Sequence, residues 1–133
     1  MLSRKALRIA VLLLLATPAF ARGRDVTGHY ERSGENEQAS LDVTMLSGER
    51  VKVSGIALWN TRNEKYGPNI GELAFQAEIK DDVVSWSDDD GYKIVIHFSR
   101  KALDVTEHAV DGHFGMNVTF VGHYVRTAAK PAE

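Results

Sequence analysis

From residue 26 onward the chain meets a turn signal every few residues, and that spacing limits what it can fold into more than any other feature. Between the turns lie short runs rich in β-branched and aromatic residues. Two of them alternate cleanly. Leu73, Phe75, Ala77 and Ile79 share one face of residues 72–80, with Glu72, Gln76, Glu78 and Lys80 on the other. Ile94, Ile96 and Phe98 do the same over residues 92–99. Strands are also predicted over 26–32, 39–46, 50–60, 83–87, 102–106 and 116–126. Ser47-Gly48-Glu49, Asp81-Asp82 and Asp88 to Gly91 read as turns, and Tyr66 to Gly71 as a loop. Eight strands in hairpin succession predict an all-β antiparallel meander. Curling shut protects its edges, so an eight-stranded barrel is expected, with a two-sheet sandwich as the alternative. Gly28, Gly55 and Gly122 lie inside strands, where glycine permits a bulge or bend.

One internal echo bears on closure. Gly28-His29-Tyr30-Glu31-Arg32 returns as Gly122-His123-Tyr124-Val125-Arg126, on the first and last predicted strands. In a closed meander those strands pair. Each tyrosine then sets its ring in the core, with its hydroxyl expected at the rim.

The first 21 residues read differently. Arg4, Lys5 and Arg8 precede an apolar run from Ile9 to Ala16, followed by Pro18 and the small-x-small triplet Ala19-Phe20-Ala21. This is the layout of a helical signal peptide cleaved after Ala21, since the run falls short of the ~20 apolar residues that span a bilayer. The expectation is a periplasmic or secreted protein with no membrane anchor after cleavage. Residues 22–133 then form one domain, with a frayed tail from about residue 127. All 18 acidic residues but only 13 of the 16 basic ones follow Ala21, so that domain carries a net charge of -5. An acidic domain argues against nucleic acid and suits a basic partner. The chain has no cysteine, which excludes disulfides, thiolate metal sites and cysteine catalysis.

Motifs for chemistry are sparse. Asp88-Asp89-Asp90-Gly91 is the densest acidic run, but an EF-hand register through Gly91 places Trp86 first and His97 twelfth, neither of which fits. A hairpin turn explains it better. His29, His97, His108, His113 and His123 lack the spacing of a zinc site. No nucleophile elbow or phosphate loop is present. No enzyme activity, cofactor or metal is therefore expected. Two loops carry aromatic residues suited to contact: Trp59 to Gly71, with Trp59, Tyr66 and Pro68, and His113-Phe114-Gly115-Met116-Asn117. Trp59 and Phe114 could equally cap the barrel. Asn117-Val118-Thr119 is a glycosylation sequon in form only.

Val51-Lys52-Val53-Ser54-Gly55 leading to Ala57-Leu58-Trp59, then Gly71-Glu72-Leu73, then Phe114 through Arg126, resemble a group of small exported bacterial β-barrel proteins distantly similar to periplasmic lysozyme inhibitors. The resemblance implies a barrel. It does not carry over the inhibitors' Ser-Gly-x-x-Tyr loop, because Ser54-Gly55-Ile56-Ala57-Leu58 lacks the tyrosine, nor the group's cysteine pair. The resulting expectation is a non-catalytic binding protein, an inhibitor or immunity-type partner of a basic cell-wall hydrolase. Trp59, Tyr66, Asp88, Asp89, Asp90, His113, Phe114 and Asn117 would make the contacts. A small-molecule carrier with an apolar ligand inside the barrel is the alternative.

Overall fold

The computed structural model describes residues 24–108 and 113–132, so the predicted signal segment lies outside the described residues. Eight strands follow in order: β1 (Gly28–Ser33), β2 (Glu37–Leu46), β3 (Arg50–Trp59), β4 (Asn69–Lys80), β5 (Val83–Ser87), β6 (Lys93–Ser99), β7 (Ala102–His108) and β8 (Gly122–Ala128). Each pairs antiparallel with its neighbours in sequence, and β1 pairs β8, closing the barrel. The sandwich alternative is thereby set aside.

The alternation read from the sequence sets the inside. Leu73, Phe75, Ala77 and Ile79 of β4 and Ile94, Ile96 and Phe98 of β6 all point into the core with Leu41, Val43, Val53 and Leu103. One end of the barrel is tight. There the connections are Ser47–Glu49, the pair Asp81-Asp82 and the pair Arg100-Lys101. Asp81 and Asp82 both take positive φ, 52° and 62°, as a two-residue hairpin requires. The other end carries the three-residue connection 34–36 and the longer ones, 60–68, 88–92 and the segment between β7 and β8.

The echoed pentapeptides lie on the closing pair and obey a local two-fold. Tyr30 pairs Arg126 and Glu31 pairs Val125, so the same register brings Arg32 opposite Tyr124. Each copy's arginine crosses the other's glycine. A Cβ on Gly28 would lie 2.7 Å from Arg126 Cδ, and one on Gly122 would lie 2.6 Å from Arg32 Cδ. Each histidine meets an aspartate across its other neighbour, His29 with Asp42 of β2 and His123 with Asp104 of β7. Each tyrosine hydroxyl donates to the carbonyl four residues upstream, Tyr30 to Val26 and Tyr124 to Phe120, both at 2.7 Å. The hydroxyls are therefore buried, not at the rim. The reason is that the chain entering each strand leaves a carbonyl in the core that the strand ladder does not satisfy.

Two strands, β4 and β8, have limits that differ from the sequence reading by more than two residues. β4 starts at Asn69, because Gly71 belongs to the strand and not to the preceding loop. β8 covers Gly122–Ala128 and not 116–126. The approach to β8 still buries Val118 and Phe120, as the pattern implied. The tail beyond 127 is tied down, with the Ala132 N–H donating to Asp42 Oδ1 at 2.7 Å.

Candidate functional site

Among the described residues, the seam between β4 and β5 has the shortest ladder of the barrel. β4 is 12 residues long, yet β5 pairs with it only at Ile79↔Val84 and Lys80↔Val83. All of β5 pairs instead with β6, from Val83↔His97 to Ser87↔Lys93. Beyond the Ile79↔Val84 pair, towards the long-loop end, the ladder does not continue, and side chains close the space beneath. Phe75 of β4 stacks on Trp86 of β5, with ring centroids 4.8 Å apart and planes 9° off parallel. The seam is also where the core is least sealed. Leu73, Phe75, Ala77 and Ile79 keep 6–9% exposure, while Val51 and Val53 of β3 and Ile94 and Ile96 of β6 keep none.

At the long-loop end a strap crosses the seam. On the β5–β6 side, the His113 ring stacks on Tyr92 at 4.4 Å, and its Nε2 lies 3.2 Å from Asp88 Oδ2. On the β4 side, the Asn69 side-chain amide donates to the Met116 carbonyl at 3.1 Å. Phe114 sits between, edge-on to Tyr92 and to Phe120. Phe114 and Val118 press against Gly71, where an added Cβ would lie 2.7 Å from both. Gly71 is a glycine because the strap passes directly over it.

Asp88 has a double part. Its Oδ1 accepts the N–H groups of Asp90 and Tyr92 and so builds the turn, while its Oδ2 meets His113. Asp89 and Asp90 are exposed at the tip. Among the described residues, no three histidine, aspartate or glutamate side chains converge as metal ligands would. Burial, with the Glu107 charge nearby, pushes the Tyr92 phenol far above its ordinary range. Its hydroxyl lies near the Glu107 carboxylate but makes no well-formed hydrogen bond among the described residues.

The residues singled out from the sequence thus share one end of the barrel but not one role. Asp88, His113 and Phe114 meet directly. Trp59 and Phe114 pack on the core, as caps do. Tyr66 is 77% exposed, with Lys65 Nζ 5.1 Å from its ring centre. Its loop is fixed at the base, where the Asn36 carbonyl accepts from Asn60 N–H at 2.8 Å. Asn117 is exposed at φ +61° and serves the strap's turn. Sequence reasoning missed Tyr92 and Trp86, and it names Gly71 and Met116 only as members of the two loops, without a role. Met116, 72% exposed, is the most open apolar side chain of the strap. Nothing in the spacing of these residues marks them, because the seam depends on where a ladder stops.

A second polar cluster lies on the outer wall. His29 Nδ1 is 2.6 Å from Asp42 Oδ1, and its Nε2 is 3.2 Å from Glu31 Oε1. A shallow groove of about 410 Å³ runs beside it over Arg32, Gln38, Ile56 and Leu58. Partial burial opposes the imidazolium, but its hydrogen bonds to the Asp42 and Glu31 carboxylates outweigh that and hold the His29 pKa above 6.5. The stability this adds is complete below pH 6.5 and is lost as pH rises through the higher folded value. Asp42→Asn is expected to cost about 1 kcal/mol at pH 5.5 and clearly less at pH 8.5. Urea unfolding of both proteins at the two pH values checks this, and an equal cost at both would contradict it.

Compared with known proteins, the chain has no significant match to a family model, to a curated protein or to a solved structure.

Proposed function

We propose that the domain is an exported, non-catalytic binding protein whose partner is a basic protein outside the cytoplasm, a cell-wall hydrolase being the class that fits best. The observation that carries this reading is the long-loop end. It presents the acidic tip Asp88 to Asp90 together with three open apolar side chains, Tyr66, Met116 and Ile70. Apolar anchors rimmed by like charge suit recognition of an oppositely charged protein surface. The barrel interior is filled by Tyr30, Tyr92, Tyr124 and Phe120 among others, and the grooves beside His29 lie outside it. Both facts favour a protein partner over a ligand carried inside.

The test is complex formation with several cationic lysozymes, measured by calorimetry and by residual enzyme activity. A saturable complex is expected with at least one. Asp89→Lys with Asp90→Lys is expected to slow association about tenfold at low salt. Absence of any complex across lysozyme types removes this reading.

A further inference from the structure

The free stretch of β4 follows from the ladder itself. In an antiparallel strand, successive residues aim their N–H and C=O to opposite sides. Ile79 N–H donates to the Glu49 carbonyl on the β3 side. By period two, Ala77, Phe75 and Leu73 also bond toward β3, opposite Val51, Val53 and Gly55. Glu72, Ala74, Gln76 and Glu78 therefore point their backbone groups into the seam. The β5 ladder stops at Ile79↔Val84, a pair whose flanking bonds take in Glu78 and Ser85, so Glu72, Ala74 and Gln76 lie beyond every ladder on that side. An edge of this kind is a template for one more strand.

The side chains select the occupant. The same four residues face outward and are exposed, so Glu72 and Glu78 are the charged residues that an added strand would lie directly beside. Arg50 and Lys52 stand on the far side of β4, opposite Glu78 and Gln76. Asp89 and Asp90, exposed at the diverging end of β5, continue the negative sign, while Asp82 at the hairpin is paired with Arg24 at 3.7 Å. A second copy pairing edge to edge about Phe75 sets Glu72 against Glu78 twice, and like charges directly opposed disfavour it. A strand with cationic outward residues meets the opposite condition. Its inward residues would lie over the Phe75–Trp86 stack, which favours apolar side chains there.

We propose that the seam takes an extended segment of a basic protein as an added strand along Glu72 to Glu78, with lysine or arginine alternating with apolar residues. This deepens the reading given above and rests on its basic partner, but it names a different contact: main-chain pairing on β4 in place of loop contacts alone.

The probe is a capped nonapeptide of alternating valine and lysine, added to the mature domain. Saturable binding is expected, with amide exchange at Glu72, Ala74 and Gln76 slowed at least tenfold in the complex. Glu72→Lys with Glu78→Lys should weaken binding at least tenfold. N-methylation of the peptide's lysine nitrogens, which removes the donors facing β4, should abolish it. The proposal is overturned if the methylated peptide binds equally well, if an alternating valine–glutamate peptide does, or if the three amides are unchanged in the complex. It is also overturned if a cationic hydrolase binds the domain while these amides stay unprotected, an outcome that leaves the functional reading standing. Failure of every cationic partner removes that reading itself.

Discussion

Tyr124→Ala is expected to remove about 3–5 kcal/mol, the range for deleting a large buried ring, from a domain whose whole stability is on the order of 5–15 kcal/mol. Tyr124 is fully buried on the closing strand, with the Arg32 guanidinium carbon 5.6 Å from its ring centre. Truncation empties the core and also strands the Phe120 carbonyl, which loses its donor. The phenylalanine variants separate the two terms. Tyr124→Phe and Tyr30→Phe each keep the ring and are expected to cost about 1–2 kcal/mol, the penalty for an unsatisfied buried acceptor. Tyr92→Phe, which deletes a hydroxyl without a well-formed hydrogen bond, is expected to change stability by less than about 0.5 kcal/mol. Denaturant melts of the four variants check this order. Equal costs for the three phenylalanine variants would contradict the assignment of the carbonyl bonds.

Gly71→Val carries the second large effect. Its Cβ would fall 2.7 Å from the Phe114 Cβ, an atom next to the backbone that cannot swing aside as a side-chain tip would. Either β4 or the strap must move, at an expected cost of about 2–3 kcal/mol, at the upper end of the range for overpacking. The strap is the weaker element, since its hold on β4 is the hydrogen bond from the Asn69 amide to the Met116 carbonyl and the Phe114 and Val118 contacts. Its release breaks the His113 stack on Tyr92 and opens the upper seam. Near-ultraviolet circular dichroism should therefore change while the far-ultraviolet strand signal stays. Retention of both signals, with no loss of stability, would show that the strap does not press on Gly71.

These two results bear on how far the fold could be read from residues alone. Alternation placed the inward faces of β4 and β6, because a half-buried strand needs only period two. The pentapeptide echo placed β1 beside β8, because closure demands a partner for each end. What escaped the sequence has physical causes. Gly71 resembles a loop glycine, and only the strap packed over it explains why a strand tolerates it. The tyrosine hydroxyls read as rim groups in the sequence, because a carbonyl left over inside the core depends on the path of the chain. The acidic run and the two aromatic loops were found as separate motifs. That Asp88, His113 and Phe114 form one strap depends on the meander bringing the turn after β5 and the approach to β8 to the same end. The seam has no local code at all, since β5 matches β4 in pattern and simply turns away to follow β6.

Residue-resolved amide exchange of the free mature domain tests the seam most directly. Slow exchange at Leu73, Phe75 and Ala77, with fast exchange at the interleaved Glu72, Ala74 and Gln76, is the result expected of a strand bonded on one side only. Uniform protection from Glu72 to Ala77 would mean that β4 is paired on both sides and that the barrel has no edge to offer.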